Sequence, residues 1–217
     1  MFETASAAGR FLMEAMWMKF NPAFRRLHEE IHAGTIGEAR NMRAGFSIPW
    51  PQDGGTRWQP PAGGALLDQG IYPITLAHTV FGAPAAIQAS GTMTNNGVDL
   101  AEHVTLDFGD GRFAQISTGM MEFTDCSAAV SGRLGWITLP APFWATTNLE
   151  LHAGSMSAIF ESPDCVQLER QGHGYVPMLA EAITAIDHGL IEHPWHTASD
   201  TVAVLSTIDA IFEQLRS

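Results

Sequence analysis

Charge is scarce in this chain, and positive charge most of all. Its 217 residues hold one lysine, Lys19, and only 16% charged residues in total, against about 25% in an average globular domain. The formal net charge of −12 and a pI near 5.0 exclude a nucleic-acid partner, because phosphates would be repelled. Two cysteines, Cys126 and Cys165, cannot build a disulfide framework, and no CxxC occurs. Apolar runs of membrane-spanning length are missing, as is a basic-then-apolar leader. A cytoplasmic protein with no membrane partner is the expectation. What the chain does have is apolar residues, 46% of the total. That excludes disorder, fibrous repeats and a charged coiled coil, and suffices for one large domain or two small ones.

The hydrophobic period changes along the chain. Residues 1–9 read as the end of a helix closed by Gly9, and the apolar run Phe11–Met18 as a short buried strand. Asn21-Pro22 opens a helix that buries Phe24, Leu27 and Ile31 and stops at Gly34. A strand-like stretch spans 37–48. The Pro- and Gly-rich segment 49–64 reads as an irregular loop, followed by a helix over about 65–80. Between 85 and 168 the alternation has period two, with strands around Val104–Phe108, Phe113–Ile116, Ala128–Ser131, Trp136–Leu139, Leu149–Leu151 and Ala158–Phe160. Helices over roughly 176–187 and 199–215 close the chain. Helices, then a meandering sheet, then helices give the α+β class, with helices covering one face of the sheet.

Three stretches carry candidate chemistry. His28-Glu29-Glu30-Ile31-His32 matches the zincin pattern H-E-x-x-H, in which two His one turn apart share a Zn²⁺ and the Glu serves as base. Here the apolar stripe of Phe24, Leu27 and Ile31 already marks the buried side, so Glu29, Glu30 and His32 are expected in solvent, with no metal site. Gly109-Asp110-Gly111-Arg112-Phe113-Ala114 fits G-x-G-x-x-G/A, but alternating residues follow it where a phosphate-binding turn needs a helix. Asp-Gly between strands predicts a hairpin turn instead. In Gly63-Gly64-Ala65-Leu66-Leu67-Asp68-Gln69-Gly70-Ile71-Tyr72, a glycine pair leads into a helix. Asp68 and Tyr72 stand four apart, so both are expected on one helix face as an acid/base pair. A phenol with an ordinary pKa of about 10 needs a neighbouring cation to work at neutral pH.

At these residues the chain resembles the C-terminal part of the Gfo/Idh/MocA family of NAD(P)-dependent oxidoreductases, in its dihydrodiol and D-xylose dehydrogenase branch. Phe11–Pro22 (FLMEAMWMKFNP), the helix-Gly-x-Ile-Gly segment His28–Gly37 and Gly63–Gly82 (GGALLDQGIYPITLAHTVFG) carry the resemblance. It implies an open, mainly antiparallel sheet with helices on one face and a second copy of the chain on the other. It implies Tyr72 as general acid/base with Asp68 beside it, Trp17 and Lys19 at the substrate and Glu14 at the cofactor. Family members usually carry Arg at the position of Lys19. They also begin with a Rossmann domain bearing G-x-G-x-x-G and an E-K-P motif, and neither motif occurs here.

The resemblance therefore implies residues 1–10 as the remnant of a cofactor-domain helix and 11–217 as a substrate-binding and oligomerisation domain. Met1 is then expected to be internal to a longer protein. NAD or NADP is expected in the full-length enzyme, acting on a sugar or cyclic diol, with no cofactor and no activity for this chain alone. The alternative is a non-catalytic dimerising or sugar-binding module of the same fold; a zinc peptidase ranks third.

Overall fold

The computed structural model describes residues 1–216. Six helices and eight strands follow the order α1 (Phe2–Ala7), α2 (Pro22–His32), β1 (Ala39–Ser47), α3 (Ile71–Phe81), β2 (Ala86–Met93), β3 (Asp99–Asp107), β4 (Phe113–Gly119), β5 (Ala128–Gly132), β6 (Gly135–Leu139), β7 (Asn148–Ala153), α4 (Met156–Glu161), β8 (Asp164–Gln167), α5 (Val176–Asp187) and α6 (Ala198–Leu215). The strands form one open sheet in the order β2-β3-β4-β1-β5-β6-β7-β8. Only β1 and β4 run parallel; every other neighbouring pair is antiparallel. The α3 crossover carries the chain from β1 to the far edge, and the β2-β3-β4 meander brings it back alongside β1.

Alternation along each strand decides what the sheet covers. Met42 and Phe46 of β1, Val104 and Leu106 of β3, Ile116 of β4 and Ile137 of β6 point to one side. There they join Phe24 and Leu27 of α2, Ile74 and Leu76 of α3 and Ile208 and Ile211 of α6 in one core. Arg43, His103, Thr105, Gln115 and Ser117 face the other way and line a broad concavity of ≈ 620 Å³ across the uncovered face. No helix among the described residues is long and apolar enough to cross a membrane.

Local chemistry explains the helix boundaries. Asn21 caps α2, its Oδ1 accepting from Ala23 N at 2.9 Å, with Pro22 in the first turn. Thr197 and Asp200 form a reciprocal capping box on α6.

Three expectations need correction. Phe11–Met18 is no strand: it runs irregularly into a 3₁₀ turn, Trp17–Phe20, whose four residues are all buried. Its backbone bonds are mostly local, Trp17 N to Ala15 O at 2.7 Å and Lys19 N to Met16 O at 3.1 Å, so burial comes from tight turning. Ala158–Phe160 is helical within α4, because Ser155 caps it through Ala158 N at 3.2 Å. The short strand β8 follows instead. Glu30 is buried, accepting from Arg26 Nε at 2.7 Å and Thr35 Oγ1 at 2.5 Å; these donors hold its carboxyl below the usual range.

The other two motifs resolve simply. Glu29 is exposed and His28 and His32 stack on each other at 3.9 Å, with His28 also against Trp195. No group of three or more His, Cys, Asp or Glu that could hold a metal occurs among the described residues. Gly109-Asp110-Gly111 is the β3–β4 hairpin turn, all three residues at positive φ.

Candidate active site

The segment from Gly63 to Tyr72 begins where the chain is crowded. A side chain at Gly63 would meet the carbonyl oxygens of Thr56, Arg57 and Gln59, and one at Gly64 (φ +116°) would run into the Asp99 carboxyl. The glycine pair is thus a packing requirement. Leu66–Gly70 then forms a π-helical turn that leads directly into α3. Asp68 and Tyr72 leave the helix toward different partners: Asp68 Oδ2 accepts from Arg57 Nε at 2.8 Å, whereas the Tyr72 hydroxyl accepts from Trp17 Nε1 at 3.0 Å.

Around Tyr72 the fold gathers aromatic rings from four other segments. Trp17 stands edge-on to Tyr72 at 6.3 Å, and Phe46 of β1 lies 5.4 Å away. Trp144 stacks flat on Phe46 at 3.5 Å, and Tyr175 packs on Trp17 at 5.0 Å. Gly174 lets the backbone lie against the Trp17 indole, with a Cβ there only 2.7 Å from the ring. Trp17 is buried and Tyr175 half exposed, so the cluster has a closed floor and an open rim.

Burial pushes the Tyr72 phenol above its ordinary pKa. The Trp17 bond opposes that weakly, and Tyr175, Asp68 and Glu14 add to it. No cation acts on it. Lys19 Nζ pairs with Asp200 at 3.6 Å and lies 5.7 Å over the Trp195 ring, and burial lowers its pKa. Glu14 pairs with buried His196, Oε2 to Nε2 at 3.2 Å. Of the five candidate residues, then, Trp17 and Tyr72 come into contact. Asp68 lies at the mouth with Arg57, and Glu14 and Lys19 turn toward the α6 side.

Several lining residues escaped sequence reading. Arg57 stacks on Trp50 at 4.1 Å while holding Asp68. Trp144 and Tyr175 sit in loops, where the available signal was a large aromatic side chain in a Pro- or Gly-rich stretch (PAPFW, GHGY).

Comparison with known proteins accords with this geometry. The family model for the GFO/IDH/MocA C-terminal domain matches residues 24–138, more than half of the chain. Trans-1,2-dihydrobenzene-1,2-diol dehydrogenase of Xenopus tropicalis is 27% identical over 98% of this chain and 65% of its own length. The Mus musculus enzyme of that name is 36% identical over 69% of this chain and 45% of its own length. Aldose-aldose oxidoreductase from Caulobacter crescentus, solved with glycerol, shares the fold at TM-score 0.83 and 20% identity, over 97% of this chain and 63% of that one. A 3-ketoreductase from Actinomadura kijaniata, solved with NADP and TDP-benzene, superposes at TM-score 0.81 with 26% identity, over 99% of this chain and 65% of that one. The chain thus spans between about half and two thirds of the relatives it matches. It belongs to the GFO/IDH/MocA family, and corresponds to that family's C-terminal domain.

Proposed function

We propose that this chain is the substrate-binding and oligomerisation domain of an NAD(P)-dependent oxidoreductase acting on a CH–OH group of a sugar or cyclic diol. The observation that carries the reading is the Tyr72 hydroxyl, held by Trp17 Nε1 within a cluster of aromatic rings whose Tyr175 is half exposed. Such rings take the apolar face of a sugar or cyclic diol. The Asp68–Arg57 pair at the mouth offers hydrogen bonds to its hydroxyls.

Tyr72 supplies the proton chemistry. Burial keeps its phenol protonated through neutral pH, so it is ready to donate to a carbonyl oxygen during reduction. Oxidation requires the phenolate to accept the alcohol proton, and a cation must favour that form. None of the described cations acts on the phenol, and the chain's one lysine is engaged with Asp200, so the cation is assigned to a further domain, as is the cofactor. The described residues do not fit a dinucleotide: the one G-x-G-x-x-A stretch is a hairpin turn, and Glu14 is engaged with His196. Nicotinamide binding is therefore assigned to a further domain, with α1, none of whose residues is buried, as the end of it.

The uncovered sheet face takes a second copy of the chain. Its small and polar residues, such as Ser90, Thr105 and Ser117, permit close face-to-face approach. Calorimetry of the chain with a cyclic trans-diol and with NADPH tests the assignment. Weak diol binding that Trp17→Ala removes is expected, and nanomolar-to-micromolar binding of NADPH would overturn it.

A further inference from the structure

Behind the glycine pair lies a second polar cluster that takes no part in the proton chemistry above. Asp99 and Glu102 stand three apart on β3, a spacing that sends side chains to opposite faces of a regular strand. The β2–β3 register shifts at this point, from Thr92 opposite Ala101 to Met93 opposite Asp99, and the irregularity turns both carboxyls inward. Each residue is 0% exposed. Asp99 Oδ2 accepts from Leu66 N at 2.6 Å, and the Ala65 N–H also points to this carboxyl. Asp99 Oδ1 and both Glu102 oxygens find no N–H or O–H donor in the chain. Each carboxyl acts on the other at hydrogen-bonding range, and with no donor on either side a bond between them requires a proton on one of them.

We infer that Asp99 and Glu102 share one proton as a carboxyl–carboxylate pair and, through the Asp99 bonds to Ala65 and Leu66, fix the start of the helix that presents Asp68 and Tyr72. Both are positioning residues. Glu102 holds the proton and donates to Asp99, whose charge is stabilised by the backbone N–H groups of the helix start. The charges acting on Glu102 are Asp99 and Glu122, both acidic, and with burial they push its carboxyl up to about 9. Burial raises Asp99 as well, against the pull of the Leu66 and Ala65 donors. Ser47 of β1, whose buried Oγ also lacks a partner, lies with Glu122 beside Gly119 and contributes no charge.

The inference rests on the proposed function only in that Asp68 and Tyr72 form the site; its test needs neither substrate nor cofactor. Carboxyl and amide resonances of the 217-residue chain are followed by NMR across the whole span from below the ordinary carboxyl range to above the expected midpoint. Glu102 Cδ is expected to titrate with a midpoint near 9, with the Leu66 and Asp68 amides shifting at the same midpoint. In Glu102→Gln, whose amide donates without titrating, that step in the amides is expected to vanish. A Glu102 midpoint near the ordinary 4.5, or amides that ignore its titration, would overturn the inference. So would an alkaline loss of structure common to wild type and variant. Should Glu102→Gln fail to fold, the wild-type titration decides alone. Failure here while turnover still depends on Tyr72 removes the pair and leaves the function; the reverse removes the function and leaves the pair.

Discussion

The two faces of the sheet are built from the same strands and differ in almost everything else. On the covered face Leu106, Ile116 and Ile137 pack against helices and are essentially inaccessible. One residue away along the chain, Thr105, Gln115 and Trp136 point to the other face, which is open at the first two and meets Phe160 of α4 at the third. Whatever the fold needs, and the whole aromatic pocket, belongs to the covered side or its rim. The open face is free to serve a partner without cost to the core. The contrast teaches that stability and the proposed assembly are separable here, residue by residue, at a spacing of one.

The largest effect should come from hollowing the covered face. Leu106→Ala is predicted to cost about 2–5 kcal/mol by urea unfolding, whereas Thr105→Ala next to it should stay within about 0.5 kcal/mol. Equal losses would break the contrast. Gly64→Ala comes next: its Cβ meets Asp99 Oδ1 at φ +116°, and a loss of about 1–3 kcal/mol in thermal unfolding is expected. Trp17→Phe keeps a ring and removes the bond to Tyr72, for about 0.5–1.5 kcal/mol. Because that bond favours the phenolate, the variant should also move the Tyr72 titration to higher pH, read by ultraviolet difference spectra. Thr105→Arg should leave stability within about 0.5 kcal/mol. It should still abolish self-association in sedimentation, since it places an unpaired charge in the proposed contact.

Stability against pH sharpens the same comparison. Glu102 binds a proton in the folded chain up to about pH 9 that the unfolded chain releases near 4.5. Stability from this residue is therefore full below about 4.5 and falls as pH rises toward 9. Glu102→Gln should flatten the slope, and Thr105→Ala on the open face should leave it.

Much of this was legible beforehand, for definite reasons. Period-two alternation in β3 and β4, the Asp110-Gly111 turn and the Asn21-Pro22 cap are local signals, and the structure carries them as read. The glycine pair marked the site helix, although its cause, the approach of Asp99 from 35 residues downstream at position 64, has no local trace. Asp68 and Tyr72 were found by spacing and resemblance, yet a π turn separated their partners, and no periodicity argument anticipates that. The Asp99–Glu102 pair was invisible because alternation assigns the two residues to opposite faces and only the register shift reunites them. Arg57, Trp144 and Tyr175 lie in loops, whose course is set by tertiary contacts.

The central claim is that Tyr72 belongs to a half-site completed by a cofactor domain. Its most direct test joins this chain to the cofactor domain of a trans-dihydrodiol dehydrogenase and follows NADP reduction with a cyclic trans-diol. Diol-dependent turnover that appears only in the joined protein, and drops about 10²–10⁴-fold in Tyr72→Phe, is the predicted result. Turnover by the 217-residue chain alone, or joined turnover indifferent to Tyr72→Phe, would contradict it.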